Sequence, residues 1–66
     1  MLKYSRKKLG ISQSELAKRL DVNRSYISKI ENCKFNNVSV EFIGKISKEL
    51  KLDPIEVFLF FYKNSS

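Results

Sequence analysis

The stretch Ile11–Lys34, read as ISQSELAKRLDVNRSYISKIENCK, contains signals for two short helices with only three residues between them. Ser12 followed by a glutamate three residues later has the spacing of a capping box, which predicts a helix over residues 13–20. Asn23 is a favourable N-cap residue and predicts a second helix over residues 24–31. The short connection requires the two helices to pack against each other at a sharp angle.

The apolar residues of this stretch recur at helical spacing and predict the core between the two helices. We expect that core to contain Leu16, Ala17, Leu20, Val22, Ile27 and Ile30. Ala17 is small, which lets the second helix cross the first closely. With Ile27 and Ile30 directed inward, a rotation of about 100° per residue turns one contiguous polar face outward. That face, which could enter a major groove, consists of Arg24, Ser25, Ser28 and Lys29.

Capping signals on both sides of this stretch predict three more helices. Ser39 begins a helix that runs to about Leu50, with its apolar residues at i, i+3 or i+4 spacing. An aspartate before Pro54 predicts a last helix to about Lys63. Residues 2–9 form a short helix with a cationic outer face. Strand signals, repeats and linker-like segments are lacking, so the sequence predicts an all-α, compact five-helix fold.

Charge is distributed unevenly over the chain, whose length of 66 residues and apolar content of 42% indicate one folded domain, 1–66. Residues 1–34 hold nine basic and three acidic residues, which accounts for the whole net charge of +6. The other half is neutral and rich in aromatic residues, which suits packing. Nucleic acid would be attracted to the cationic half by counterion release. A basic surface that serves only solubility explains the composition equally well.

Several function classes lack their usual residues. The chain has one cysteine, Cys33, and no histidine, so we expect no internal disulfide, no metal site, no cofactor and no enzymatic activity. The longest apolar run, residues 57–62, is far shorter than the ~20 residues that span a bilayer. We therefore expect no membrane partner and a cytoplasmic location.

The segments SQSELAKRL and NRSYISKIEN resemble the Cro and phage-repressor (XRE-type) helix-turn-helix domain, and the resemblance extends over almost the whole chain. The matching signature positions are Ser12, Gln13, Glu15, Leu16, Ala17, Ile27 and Glu31. The resemblance implies a lambda-repressor-like domain of five helices. In that domain the second and third helices, at about 13–31, form the helix-turn-helix that reads DNA.

The resemblance also implies roles in DNA contact. The residues expected at or near base edges are Asn23, Arg24, Ser25, Ser28 and Lys29. Either Arg24 or Lys29 has the chemistry to pair with guanine, and the sequence leaves open which one does so. The residues expected at phosphates are Gln13, Asn32 and Lys34. Gln13 can also steady the recognition helix, and for Lys34 a polar loop without DNA contact is an equal alternative.

Other positions have structural roles by the same resemblance. Relatives commonly pair the arginine matching Arg6 with the glutamate matching Glu31, although Arg6 binding a phosphate directly is the alternative. Tyr26 lies between the polar and apolar faces, which favours packing with a polar tip over a phosphate contact.

Two positions depart from the family's pattern of glycines. Asp21 stands where glycine usually makes the turn, so we expect a left-handed backbone conformation there. Cys33 also replaces a common glycine, so either Asn32 or Cys33 must supply the left-handed cap after the recognition helix. A redox role for this thiol is a minor alternative.

The last helix, at about 54–63, has an apolar surface wider than packing on its own domain requires. One row, Val57, Phe58 and Phe61, matches the family's core position, and Phe60 is expected alone on the other side. An adjacent row predicts a dimer interface, formed by Ile55, Leu59 and Tyr62. The alternative is that all these residues fill a small core.

Together these features predict a sequence-specific DNA-binding transcriptional regulator. It would bind double-stranded DNA as a homodimer, at an inverted repeat whose half-sites lie ~34 Å apart. The alternative is an antitoxin-like protein-interaction module whose C-terminal helix binds another protein, with DNA binding secondary.

Overall fold

The fold of the chain is all-α. A computed structural model describes residues 1–35 and 37–64, and within these ranges it contains five helices and no strand. The helices are α1 Leu2–Lys8, α2 Gln13–Leu20, α3 Arg24–Glu31, α4 Val40–Leu50 and α5 Pro54–Asn64. The prediction of an all-α fold with five helices is therefore confirmed. The predicted domain, 1–66, also includes Asn36, Ser65 and Ser66, which lie outside the described residues.

Side-chain caps fix the N-terminal ends of three helices. The hydroxyl oxygens of Ser12 and Ser39 each accept a hydrogen bond from the backbone N–H three residues later, at 3.0 and 3.1 Å. Asp53 Oδ1 accepts from the backbone N–H two residues later, at 2.9 Å. Asn23 occupies the N-cap position of α3 with extended backbone angles, but its side chain makes no capping hydrogen bond. The predicted cap by Asn23 is wrong in that respect, and its exposed side chain remains at the helix end.

Three residues with side chains adopt the left-handed conformation after a helix. Asp21 has φ 57° after α2, as predicted, and Cys33 has φ 58° after α3. Of the two candidates for the cap after α3, Cys33 therefore takes the left-handed conformation, whereas Asn32 has φ −97°. Lys51 has φ 56° after α4, which the sequence did not indicate. Each costs about 1 to 2 kcal/mol relative to glycine, because the Cβ atom crowds the following carbonyl oxygen.

The core joins all five helices around α2 and α4. α2 packs against α3 and α4, while α4 also packs against α1 and α5. The buried apolar residues are Leu2, Ile11, Leu16, Ala17, Leu20, Ile27, Ile30, Phe35, Ile43, Ile46, Leu50, Val57 and Phe61. Ser47 is also fully buried, and its hydroxyl donates to the Ile43 carbonyl. Since Ile27 and Ile30 are wholly buried, the rotation of α3 is fixed with its polar side outward.

Two aromatic residues of α5 lie elsewhere than the sequence predicted. Phe58, expected in the core row, is 44% exposed, because it lies about 100° around the helix from buried Val57. The rings of Phe35 and Phe61 are in edge-to-face contact, with centroids 5.0 Å apart. Phe60, expected alone on the opposite side, is half-buried and packs against the core. It lies one turn after Val57 and therefore flanks the buried row.

Candidate nucleic-acid interface

The outward side of α3 is a continuous polar surface at the end of a short turn. We call it the reading face, and it consists of Asn23, Arg24, Ser25, Ser28 and Lys29. Ser28 is half-buried, and the other four residues are exposed. Behind it, Ile27 and Ile30 anchor the helix in the core with no exposed surface. All five residues predicted at base edges therefore lie together and are accessible.

Gln13, at the start of α2, connects two residues of α3. Its Nε2 donates a hydrogen bond to Glu31 Oε1 at 3.0 Å, and its Oε1 accepts one from Arg24 Nη1 at 3.0 Å. Gln13 therefore connects the start of α2 to both ends of α3. An amide nitrogen carries two hydrogens, so the second N–H of Gln13 can still be donated to a phosphate oxygen.

The far end of α3 is tied to α1 by an ion pair. Arg6 Nε donates to Glu31 Oε2 at 2.6 Å, and Arg6 Nη2 donates to Glu31 Oε1 at 3.2 Å. The Arg6 and Glu31 side chains are only 7% and 1% exposed. Arg6 Nη1 also donates to the Ile11 carbonyl at 2.8 Å. Since Arg6 is buried and holds these partners, the geometry favours the ion pair over a direct phosphate contact.

The ionisation of Glu31 is favoured by its surroundings. Burial by itself would raise the pKa of this carboxyl. Hydrogen bonds from Arg6 and Gln13, together with the positive charges of Arg6 and Lys3, outweigh burial, so the pKa of Glu31 lies below its ordinary value of 4.5. Glu31 is therefore a carboxylate near neutral pH and accepts hydrogen bonds only.

These contacts form a polar relay, Arg6–Glu31–Gln13–Arg24, that runs from the core to the reading face. An ionised Glu31 requires a donor from Gln13, so the amide nitrogen of Gln13 points toward Glu31. The amide oxygen consequently points toward Arg24 and accepts from its guanidinium. The negative charge on Glu31 thus orients the Gln13 amide so that its oxygen, and not its nitrogen, faces Arg24.

The two remaining residues predicted at phosphates differ in their surroundings. Asn32 Nδ2 donates to the Ser28 carbonyl at 2.9 Å and lies 3.5 Å from the Ser28 hydroxyl. Asn32 therefore closes the end of α3 and contacts a residue of the reading face. Lys34 is exposed, and its backbone N–H donates to the Lys29 carbonyl at 2.8 Å. That bond fixes the backbone of Lys34 close to the end of α3.

The beginning of α4 lies beside the beginning of α3, which the sequence did not indicate. Tyr26 is half-buried. Its ring and the ring of Phe42 are in edge-to-face contact, with centroids 5.4 Å apart. Packing of Tyr26 agrees with the favoured prediction. The two rings line an open depression together with Val22, Asn23 and Ser39. The two aromatic residues, Tyr26 and Phe42, are the sequence feature that could have indicated the contact between the beginnings of α3 and α4.

Two further observations concern other kinds of site. Within residues 1–35 and 37–64, no three or more His, Cys, Asp or Glu side chains lie close enough together to hold a metal ion. The helices in the same ranges are all too short or too polar to cross a membrane.

Comparisons with known proteins give consistent matches. The family described as Helix-turn-helix matches residues 2–57. The chain is similar to the HTH-type transcriptional regulator SlrR of Bacillus subtilis (strain 168), with 38% identity over 58 residues, which cover 88% of this chain and 38% of SlrR. It is also similar to the HTH-type transcriptional regulator SinR of B. subtilis (strain 168) and of Bacillus licheniformis. Each SinR match has 43% identity over 49 residues, which cover 74% of this chain and 44% of SinR.

The extent of these matches limits what they describe. The chain spans about two fifths of the length of the curated relatives that it matches. No solved structure matches the chain significantly. All three relatives are named as transcriptional regulators, so they do not favour the antitoxin-like alternative.

Proposed function

The chain belongs to the Cro and phage-repressor-like (XRE-type) helix-turn-helix family, and from this premise we propose that it is a DNA-binding transcriptional regulator. The observation that carries the proposal is the exposed reading face of α3, which is backed by the fully buried Ile27 and Ile30. The net charge of +6 in residues 1–34, the half that contains α1, α2 and α3, supports it further. The relatives named as transcriptional regulators agree with it.

In the proposed complex, α3 lies in the major groove with its N-terminal end toward the bases. Arg24 or Lys29 donates hydrogen bonds to a guanine, because their donors match the acceptors on its major-groove edge. The smaller polar side chains of the reading face contact neighbouring base edges: Asn23, Ser25 and Ser28. We also propose that the second N–H of Gln13, with Asn32 and Lys34, contacts phosphates and positions the helix.

We further propose that two copies of the chain act together, in the cytoplasm, on an inverted repeat. Ile55, Leu59 and Tyr62 on α5 are 69%, 43% and 71% exposed, which is unusual for apolar residues of a single helix. A two-fold dimer through this face would present two reading faces to successive major grooves, ~34 Å apart. The regulator would then change promoter access by occupying its site.

Selection of bound oligonucleotides from a random pool tests this proposal. We expect enrichment of one short sequence, present as two inverted copies at a fixed spacing of about one helical turn. Enrichment of a single half-site would contradict the homodimer but would still support a DNA-binding regulator. Retention of all sequences alike, with an affinity that depends only on salt, would contradict sequence-specific regulation.

A further inference from the structure

The outward side of α5 carries an apolar face that the described chain leaves open to solvent. It consists of Ile55, Phe58, Leu59 and Tyr62, which are 69%, 44%, 43% and 71% exposed. With about 200 Å² for each large side chain, the face covers about 450 Å². The largest contiguous apolar patch on a monomeric protein typically covers about 300 to 600 Å² and is often functional, so this face is a candidate interaction site.

Part of this face is already ordered for contact. The rings of Phe58 and Tyr62, one turn apart, are stacked with 6.3 Å between centroids and 14° between planes. They border an open cavity of about 180 Å³ that reaches Phe35 and Val38, in the segment between α3 and α4. A partner therefore meets a flat aromatic surface with a recess beside it, and few rotamers must be fixed on binding.

Two charged residues mark one edge of the face. Glu56 and Lys63 are exposed and lie seven residues apart, which places them on the same side of α5, two turns from each other. Both line a shallow groove between α5 and Met1, together with Leu59 midway between them. The edge therefore has a negative end, an apolar centre and a positive end.

Such an edge is complementary to itself when the helix direction is reversed. In an antiparallel helix pair related by a two-fold axis, the same edge of each helix meets, as in antiparallel coiled coils. Glu56 then faces Lys63 of the partner subunit, and the symmetry repeats that pair. In a parallel two-fold pair this edge would instead face the opposite edge, where Phe58 lies, and the charges would remain unmatched.

We propose that a second copy of this chain occupies the face, with the two α5 helices antiparallel and centred near Leu59. This inference rests on the homodimer of the proposed function and adds its partner orientation, the two Glu56–Lys63 pairs, and Phe58 as an interface residue. The two faces together bury about 900 Å² of apolar surface, below the standard size of about 1,600 Å². Interfaces of this size are typical of transient complexes, so we expect a dimer that dissociates reversibly.

Charge substitutions test the pairing by sedimentation equilibrium. Glu56→Lys and Lys63→Glu each replace two attractive pairs with two repulsive ones, so each should raise the dimer dissociation constant by about tenfold. The double variant Glu56→Lys/Lys63→Glu restores both pairs and should return the constant to within about threefold of wild type. Glu41→Lys is the control, because it makes the same charge change at an exposed position of α4 and should leave the constant unchanged. A double variant no better than the singles overturns the pairing.

Cross-linking tests the helix direction independently of charge. In a Cys33→Gly background, Ile55→Cys and Tyr62→Cys chains should form a mixed disulfide when they are combined. Ile55→Cys alone should not cross-link, because in this register its two copies lie about 12 Å apart along the helix axis, beyond the reach of a disulfide. Efficient linkage of Ile55→Cys to itself would indicate a parallel pair and overturn the proposal, as would a monomeric wild type at 100 μM.

Failure of this interface and failure of the proposed function give different results. If the protein enriches one DNA sequence but Ile55→Cys cross-links to itself, the proposed regulator is supported and the antiparallel interface is contradicted. If the mixed disulfide forms but no DNA sequence is enriched, the antiparallel interface is supported and the proposed regulator is contradicted.

Discussion

Arg6 in α1 and Glu31 at the end of α3 are 25 residues apart in the chain, yet their side chains form a buried ion pair 2.6 Å long. The pair connects the first helix to the helix that carries the reading face. Both side chains are almost entirely removed from water, so each charge depends on the other for its stabilisation.

Replacing one partner of this pair should be strongly destabilising. Arg6→Ala leaves the Glu31 carboxylate buried without its cation, which costs about 3 to 5 kcal/mol of unfolding free energy. For a domain of this size the melting temperature should fall by at least about 12 °C. The control is Arg19→Ala, which removes the more exposed pairs with Glu15 and Glu49 and should cost no more than about 1 kcal/mol. Equal melting temperatures for Arg6→Ala and wild type would show that the pair contributes nothing.

The stability of the domain should also depend on pH through Glu31. Its pKa in the folded chain lies below the ordinary value of 4.5, so the unfolded chain binds the proton first as pH falls. The contribution of Glu31 is therefore fully present above pH 4.5 and is lost as pH falls through the folded pKa. Urea unfolding from pH 6 to pH 2.5 should show the advantage of wild type over Glu31→Gln shrinking below pH 4.5. A constant difference over this range would contradict the lowered pKa.

Gln13 should affect sequence preference through Arg24. Gln13→Ala removes the oxygen that holds the guanidinium, so Arg24 gains rotamers that it must lose again on DNA. We expect about fivefold weaker binding to the selected site and a smaller change on random DNA, measured by fluorescence anisotropy. Equal weakening on both DNAs would mean that Gln13 acts only at the phosphate. Gln13→Glu keeps an oxygen for Arg24 but places a second carboxylate beside Glu31, so it should destabilise the fold.

Arg24 and Lys34 should differ in what they contribute to DNA binding. Arg24→Ala should cost about 1 to 3 kcal/mol at the selected site and relax the preference at one base pair. Lys34→Ala should weaken binding to all sequences alike and lower the slope of log K against log salt by about 1. Titrations at several salt concentrations measure both quantities. The assignment of roles fails if both variants lose the same affinity on random DNA.

Two glycines should respond to alanine in opposite directions. Gly44 lies within α4, and a Cβ there would meet no atom within 4 Å, so Gly44→Ala should stabilise the domain by about 0.5 to 1 kcal/mol. Gly10 has φ +71°, where a side chain is strained, so Gly10→Ala should destabilise by about 1 kcal/mol. Chemical denaturation measures both. A stabilising Gly10→Ala would contradict the left-handed turn after α1.

The helices could be predicted because their signals are local. Ser12 and Ser39 cap helices within three residues, and the buried spacing of Ile27 and Ile30 fixes one side of α3. The left-handed conformation of Lys51 had no such signal, since lysine is not a residue that favours it. The burial of Phe61 also depends on a distant residue, because its ring packs against Phe35, whereas Phe58 is 44% exposed.

The sequence predicted which residues form the site better than it predicted the hydrogen bonds between them. Four residues of the reading face, Arg24, Ser25, Ser28 and Lys29, follow from the rotation of one helix, which periodicity determines. The resemblance to a family added Asn23, which precedes that helix. The contact between Gln13 and Arg24 joins two helices and depends on long, flexible side chains, so no spacing along the chain predicts it. The resemblance to a family indicated the Arg6–Glu31 pair, but the link from Glu31 through Gln13 to Arg24 is a feature of the three-dimensional structure.

Within α3, the residues that stabilise the fold are largely different from those that we propose to contact DNA. Of the hydrogen bonds found in residues 1–35 and 37–64, none involves the side chain of Ser25 or Lys29, and both residues are exposed. Substitutions at these two positions should therefore change the preferred operator at little cost in folding. Descendants of such a gene could diverge to new target sites by single mutations, and the same two positions are the natural choice for a library that seeks altered specificity.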